Sequence, residues 1–170
     1  MVDVSAELAR LSELDELTGP AVAAVLDASG WEGERRNQAK EWATTWRRDD
    51  AHAWIQGDGS VEVEFTLWYR EVEDERPDPD TYIDELYDAA SAELPRVADQ
   101  LQSGVLGARL EAADEDLTDG ADYIDHTAWR IGGKALLAGV KHDDTDAPVQ
   151  LVVVMRGLDT GEQDDAGEWL

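Results

Sequence analysis

Residues 60–72, SVEVEFTLWYREV, constrain the fold more than any other stretch of this chain. Val61, Val63, Phe65, Leu67 and Tyr69 alternate with Glu62, Glu64, Thr66, Trp68 and Arg70, a period of two that only a half-buried β-strand satisfies. β-branched and aromatic residues fill both registers, so local propensity agrees with the pattern. One position breaks it: Trp68 falls among the polar residues. Either the second face of the sheet is partly covered, or a large aromatic marks a contact surface.

The charge limits where such a strand can live. Asp and Glu number 40 against 14 Lys and Arg, a formal net charge of −26 on 170 residues. A compact domain so charged repels itself in dilute buffer, whereas at about 1 M salt the Debye length falls to about 3 Å and the repulsion is screened. The composition is that of a protein adapted to a salt-filled cytoplasm, as in extreme halophiles. Seven tryptophans and 42% apolar residues argue for a packed core rather than an acidic disordered chain. With no cysteine, disulfides, thiolate metal sites and cysteine nucleophiles are excluded. The first residues, MVDVSAELAR, lack the basic and apolar regions of a signal peptide, and no apolar run approaches the roughly 20 residues of a membrane span. A cytoplasmic location away from membranes is expected.

Leu8, Leu11, Leu14 and Leu17 recur at helical spacing between Val4 and Leu17, with Ser5 available as a cap. Thr18-Gly19-Pro20 ends that helix, and Pro20 suits the first turn of a second, Ala21 to Ala28. Ala39, Trp42, Ala43 and Trp46, at i, i+3, i+4 and i+7, predict a third helix over Glu32 to Arg48 with one apolar face. On such a helix Arg36, Lys40 and Arg47 would project within about 40° of one another, a basic stripe on an acidic molecule. The longest helical pattern, Thr81 to Gln102, has Asp80 as its cap and is expected to kink or divide at Pro95.

Ala51 to Gln56 pairs with the organising strand through Gly57-Asp58-Gly59, giving a hairpin. Glu71 to Asp80 reads as a loop. Alternation predicts a strand over Leu106 to Ala112, then an acidic connection to Asp125. Thr127 to Ile131, Lys134 to His142 and Val149 to Arg156 read as further strands. The last is apolar on both faces and so is expected to lie centrally. These elements predict an α+β fold: an antiparallel sheet of about six strands with helices packed mainly on one face. Residues 1–156 form one domain, followed by an acidic tail over 157–170.

Paired carboxylates carry little information in a chain this acidic. His52, His126 and His142 lack partners at metal-ligand spacing. An EF-hand reading of 115–126 fails, because Gly120 at the sixth position puts Leu117 third and His126 twelfth, where oxygen ligands belong. Neither a phosphate loop nor a nucleophile elbow is present. No catalytic residue, metal or cofactor is indicated, so the reading leans towards binding rather than catalysis.

Three binding surfaces suggest themselves. Trp68, Val152 and Val154 would form an apolar patch on the outer sheet face, suited to a homodimer or another protein partner. A pocket between the sheet and the long helix would draw on Tyr82, Tyr87, His126 and Trp129, and would suit a ligand-binding or enzymatic domain. Three helices followed by a hairpin match a winged helix-turn-helix reading nucleic acid through Arg36, Lys40 and Arg47. Salt counts against that last reading: if these three and the adjacent Arg35 and Arg48 neutralised about five phosphates, a tenfold rise in salt would cost about 4.5 decades of affinity.

Overall fold

The computed structural model describes residues 3–36, 38–57, 59–70, 79–113, 117–118, 122–142 and 148–158, with the backbone alone for 79–82. The chain is α+β, with three α-helices and one antiparallel sheet of eight strands among the described residues. Its elements in chain order are α1 (Ser5–Ser12), α2 (Gly19–Ala28), β1 (Glu32–Glu34), β2 (Thr45–Arg48), β3 (Ala51–Gln56), β4 (Glu62–Arg70), α3 (Pro79–Ser103), β5 (Glu111–Ala112), β6 (Asp125–Ile131), β7 (Lys134–Lys141) and β8 (Val149–Gly157). Spatial order across the sheet is β1-β2-β3-β4-β8-β7-β6-β5. The doubly apolar β8 therefore lies centrally, between the organising strand β4 and β7.

One core holds residues from every helix and from one face of the sheet. Phe65, Leu136, Val153 and Met155 are fully buried there with Leu8, Leu26, Val97 and Leu101. α3 lies against β4, β6, β7 and β8, while α2 meets β1 and β3. Leu86, Ala90, Leu94, Val97 and Leu101 are its buried stripe. The helix runs on through Pro95 instead of dividing there. Pro95 is exposed, on the side away from the buried stripe.

α1 stops at Ser12, short of the expected Leu17. Ser12 Oγ donates to the Ala9 carbonyl at 2.7 Å, a local bond that competes with further helical turns. Its start is held by Asp3, whose Oδ1 accepts the Ser5 N–H at 2.9 Å, so Ser5 is not the cap. α2 begins on Thr18, which accepts from the Ala21 N–H, with Pro20 in the first turn. Val61 N–H donates to the Leu17 carbonyl at 2.7 Å, which ties this junction to the start of β4.

Among the described residues the expected third helix is absent, and two strands take its place, which raises the sheet from about six strands to eight. Glu32–Glu34 and Thr45–Arg48 pair antiparallel, Gly33 opposite Trp46. The buried Trp46 ring packs on Gly33, where an added Cβ would lie 2.7 Å from the ring. That close approach uses glycine as a flat platform, and the indole N–H is satisfied by the Ala43 carbonyl at 2.8 Å. Tertiary packing of the aromatic overrides the helical spacing of its neighbours.

The strand expected over Leu106 to Ala112 shrinks to β5, preceded by a 3-10 turn over Gly107–Arg109. Arg109 pulls this turn onto α1, donating to the Ala9 carbonyl, Ser12 Oγ and Glu13 Oε2 at 3.0 to 3.3 Å. Of the loop expected over Glu71 to Asp80, residues 71–78 lie outside the described residues, while Pro79 and Asp80 already belong to α3, so Asp80 is inside the helix instead of capping it. The expected tail also lies outside the described residues from 159 onward. No helix among the described residues is long and apolar enough to cross a membrane.

Candidate functional site

A cleft of about 910 Å³ opens where the β2–β3 turn and the end of β4 stand beside α3. The sheet side contributes Arg47, Asp49, Asp50 and His52, with Leu67, Trp68, Tyr69 and Arg70 from β4. Glu93, Arg96 and Val97 come from α3.

Two local irregularities shape it. β2 and β3 are joined by the two residues Asp49 and Asp50, and Asp49 takes a left-handed φ of 53°, as tight hairpin turns require and as Asp tolerates better than most residues. Further along, the β4–β8 register shifts between Thr66 and Trp68, so that Trp68 pairs with Leu151. Leu151 faces the core, and the bulge thus swings Trp68 from the outer face to the helix side, where it is partly buried against the core. Tyr69 turns outward in its stead, 45% exposed, with its ring edge-on to His52 at 6.2 Å.

Three guanidinium groups enter the cleft. Arg70 lies over the Trp68 ring, 5.2 Å from its centroid. Arg96 pairs loosely with Glu93 at 3.7 Å across one helical turn. Among the described residues neither Arg47 nor Arg70 has a carboxylate within ion-pair distance. In a chain where acids outnumber bases 40 to 14, two such cations in one hollow stand out.

The patch expected from Trp68, Val152 and Val154 does not assemble on the outer face. Trp68 is on the other side, and Val152 and Val154, 0% and 6% exposed, are closed off within the chain. Leu117 and Tyr123, from the acidic connection, line a small hollow with Val154, Ala135 and Leu137. Tyr123 reaches this face because residue 139 is glycine, where a Cβ would lie 2.6 Å from its ring.

Nor do Tyr87, His126 and Trp129 share one hollow. Trp129 is buried in the core opposite Leu136, whereas His126, opposite Gly139, is exposed on the outer face against Tyr123. Tyr87 extends from α3 to His142, with its hydroxyl 2.8 Å from Nδ1. The Tyr82 side chain lies outside the described residues.

The basic stripe of Arg36, Lys40 and Arg47 disappears with the helix that would have carried it. Arg36 pairs with Glu34 at 3.1 Å, Lys40 Nζ donates to the Gly57 carbonyl at 2.6 Å and stands over the Trp42 ring, and Arg47 enters the cleft from β2. A winged helix-turn-helix therefore lacks its recognition helix.

No family model matches this chain, and neither a curated protein nor a solved structure matches it.

Proposed function

We propose that this is a salt-adapted binding protein, without catalysis of its own, that holds a small planar anion in the cleft beside α3. The observation that carries the reading is the pair Arg47 and Arg70, two cations with no carboxylate partner among the described residues, one of them stacked on Trp68. A guanidinium lying on an aromatic ring keeps its edge donors free for a bidentate bond to carboxylate or phosphate. Trp68 and His52 add flat surface for a ring beside the anion. Such contacts act at short range and persist in strong salt, where long-range attraction is screened.

Calorimetric titration of benzoate, adenosine monophosphate and inorganic phosphate in about 1 M KCl tests the proposal. Benzoate or the nucleotide should bind more tightly than phosphate, and the double variant Arg47→Ala/Arg70→Ala should lose that binding. Wild-type protein that takes up none of the three, or a double variant that binds unchanged, would overturn it. The salt adaptation has its own readout: circular dichroism should show unfolding as KCl is dialysed from about 1 M to low millimolar levels, because the Debye length lengthens and self-repulsion returns.

A further inference from the structure

The outer face of the sheet carries a second construction that the cleft does not use. Glu64 on β4 and Lys141 at the end of β7 are separated by β8, yet Lys141 Nζ lies 3.2 Å from Glu64 Oε1 and 3.1 Å from Oε2. Both side chains therefore cross over β8, at the level of Val152. Glu64 is 8% exposed, and the Lys141 side chain is 18% exposed.

Stability does not account for this pair. Desolvating two charges costs several kcal/mol each, and apolar residues of similar volume serve as well or better in most buried settings. The neighbours on this face, Val152, Val154 and Leu137, would accept an apolar replacement. The pair is also not sealed. On one side it borders a hollow of about 290 Å³ with Thr45, Thr66 and Gln150, and on the other a hollow of about 470 Å³ with Gln56, Glu62 and Tyr123. Both hollows share Trp54, the direct β3 neighbour of Glu64, a residue 52% exposed.

We infer that this face binds a neutral, polyhydroxylated ring, a saccharide unit stacked on Trp54. A free anion would meet Glu64, Glu62 and Asp122. A free cation on Glu64 would sit beside the ammonium that already engages both carboxylate oxygens. A hydroxyl group fits both members, accepting from the Lys141 ammonium and donating to the Glu64 carboxylate. The ion pair fixes both groups in place before the ligand arrives, which lowers the ordering cost of binding. The C–H face of a sugar ring offers the flat apolar surface that an exposed indole can cover. None of these contacts depends on net attraction between charges, so the site works in strong salt.

The test is titration of maltose, cellobiose and trehalose into the full chain in molar KCl, followed by tryptophan fluorescence and calorimetry, with tetramethylammonium chloride as a cationic comparison. At least one sugar should bind saturably, with an affinity that does not change when KCl is doubled. Trp54→Ala, at an exposed position, should weaken it by about tenfold or more, equivalent to 1.4 kcal/mol or above. Lys141→Met should do the same while Arg47→Ala leaves it untouched, which separates this site from the cleft. Absence of a saturable response to all three sugars, or binding of tetramethylammonium alone, overturns the inference. So does light scattering that shows a wild-type dimer dissolved by Trp54→Ala, since a second copy would then occupy the face.

Discussion

Among the described residues two carboxylates, Glu7 and Glu64, are buried against cations, and they are buried in opposite ways. Glu7, 1% exposed on α1, uses one oxygen to accept both the Trp31 indole N–H at 2.8 Å and Arg48 Nη1 at 2.6 Å. It thereby ties α1 to the entry of β1 and to β2, in a corner closed by the core tryptophan that also touches Phe65 at 5.5 Å. Glu64 spends both oxygens on a single lysine and has a hollow on each side. The first arrangement is a clamp on a sealed carboxylate, reached by the buried Trp31 from inside and by the half-exposed Arg48 from the surface. The second is a socket, with charges held fixed next to water. Burial alone does not separate the two roles; what lies beside the buried charge does.

The contrast can be broken by measurement. The largest effect is expected from Glu7→Ala, which strands the Trp31 donor and leaves Arg48 without its carboxylate. It should cost about 2 to 3 kcal/mol in denaturant unfolding, most of it from the stranded buried donor, since Arg48 reaches water. Gly139→Ala comes next, at about 1 to 3 kcal/mol, because the new methyl group meets the Tyr123 ring and must lever it off the outer face. Near-ultraviolet dichroism should register that displacement. Glu64→Gln should cost only about 1 kcal/mol, since water in the adjoining hollows rehydrates Lys141. Were it to cost as much as Glu7→Ala, the distinction between clamp and socket would fail. Trp54→Ala should change stability least, within about 0.5 kcal/mol, as an exposed substitution does.

Much of the fold could be read in the chain, wherever one period prevailed over a whole element. The β3–β4 hairpin, the β6-β7-β8 meander and the long α3 all lie close to their expected bounds. Failures occurred where two signals competed. Ala39, Trp42, Ala43 and Trp46 carry helical spacing, but Gly33 provides a bare surface that one of those rings covers, and a pattern of apolar positions does not register a missing side chain. Trp68 did announce itself by breaking the alternation of β4. The break is the mark of a bulge, which reverses the face of the residues beyond it, and the sequence offers no means of telling that from an exposed aromatic. Of the candidate sites, Arg47 and Trp68 were singled out for separate purposes and meet in one cleft. The Glu64–Lys141 pair could not be anticipated, because its members are brought together only by the strand that separates them.

That strand has one further consequence. β8 is the last of the described elements to be synthesised, yet among the described strands it alone bridges β1–β4 and β5–β7. Until residues 149–157 leave the ribosome, neither β4 nor β7 can complete its ladder on the β8 side. Closure then waits on contacts between segments some 85 residues apart, such as Phe65 with Val153, the kind of distant pairing that makes folding slow. Two growing fragments of neighbouring chains could trade that strand, the hazard that any open ladder edge carries.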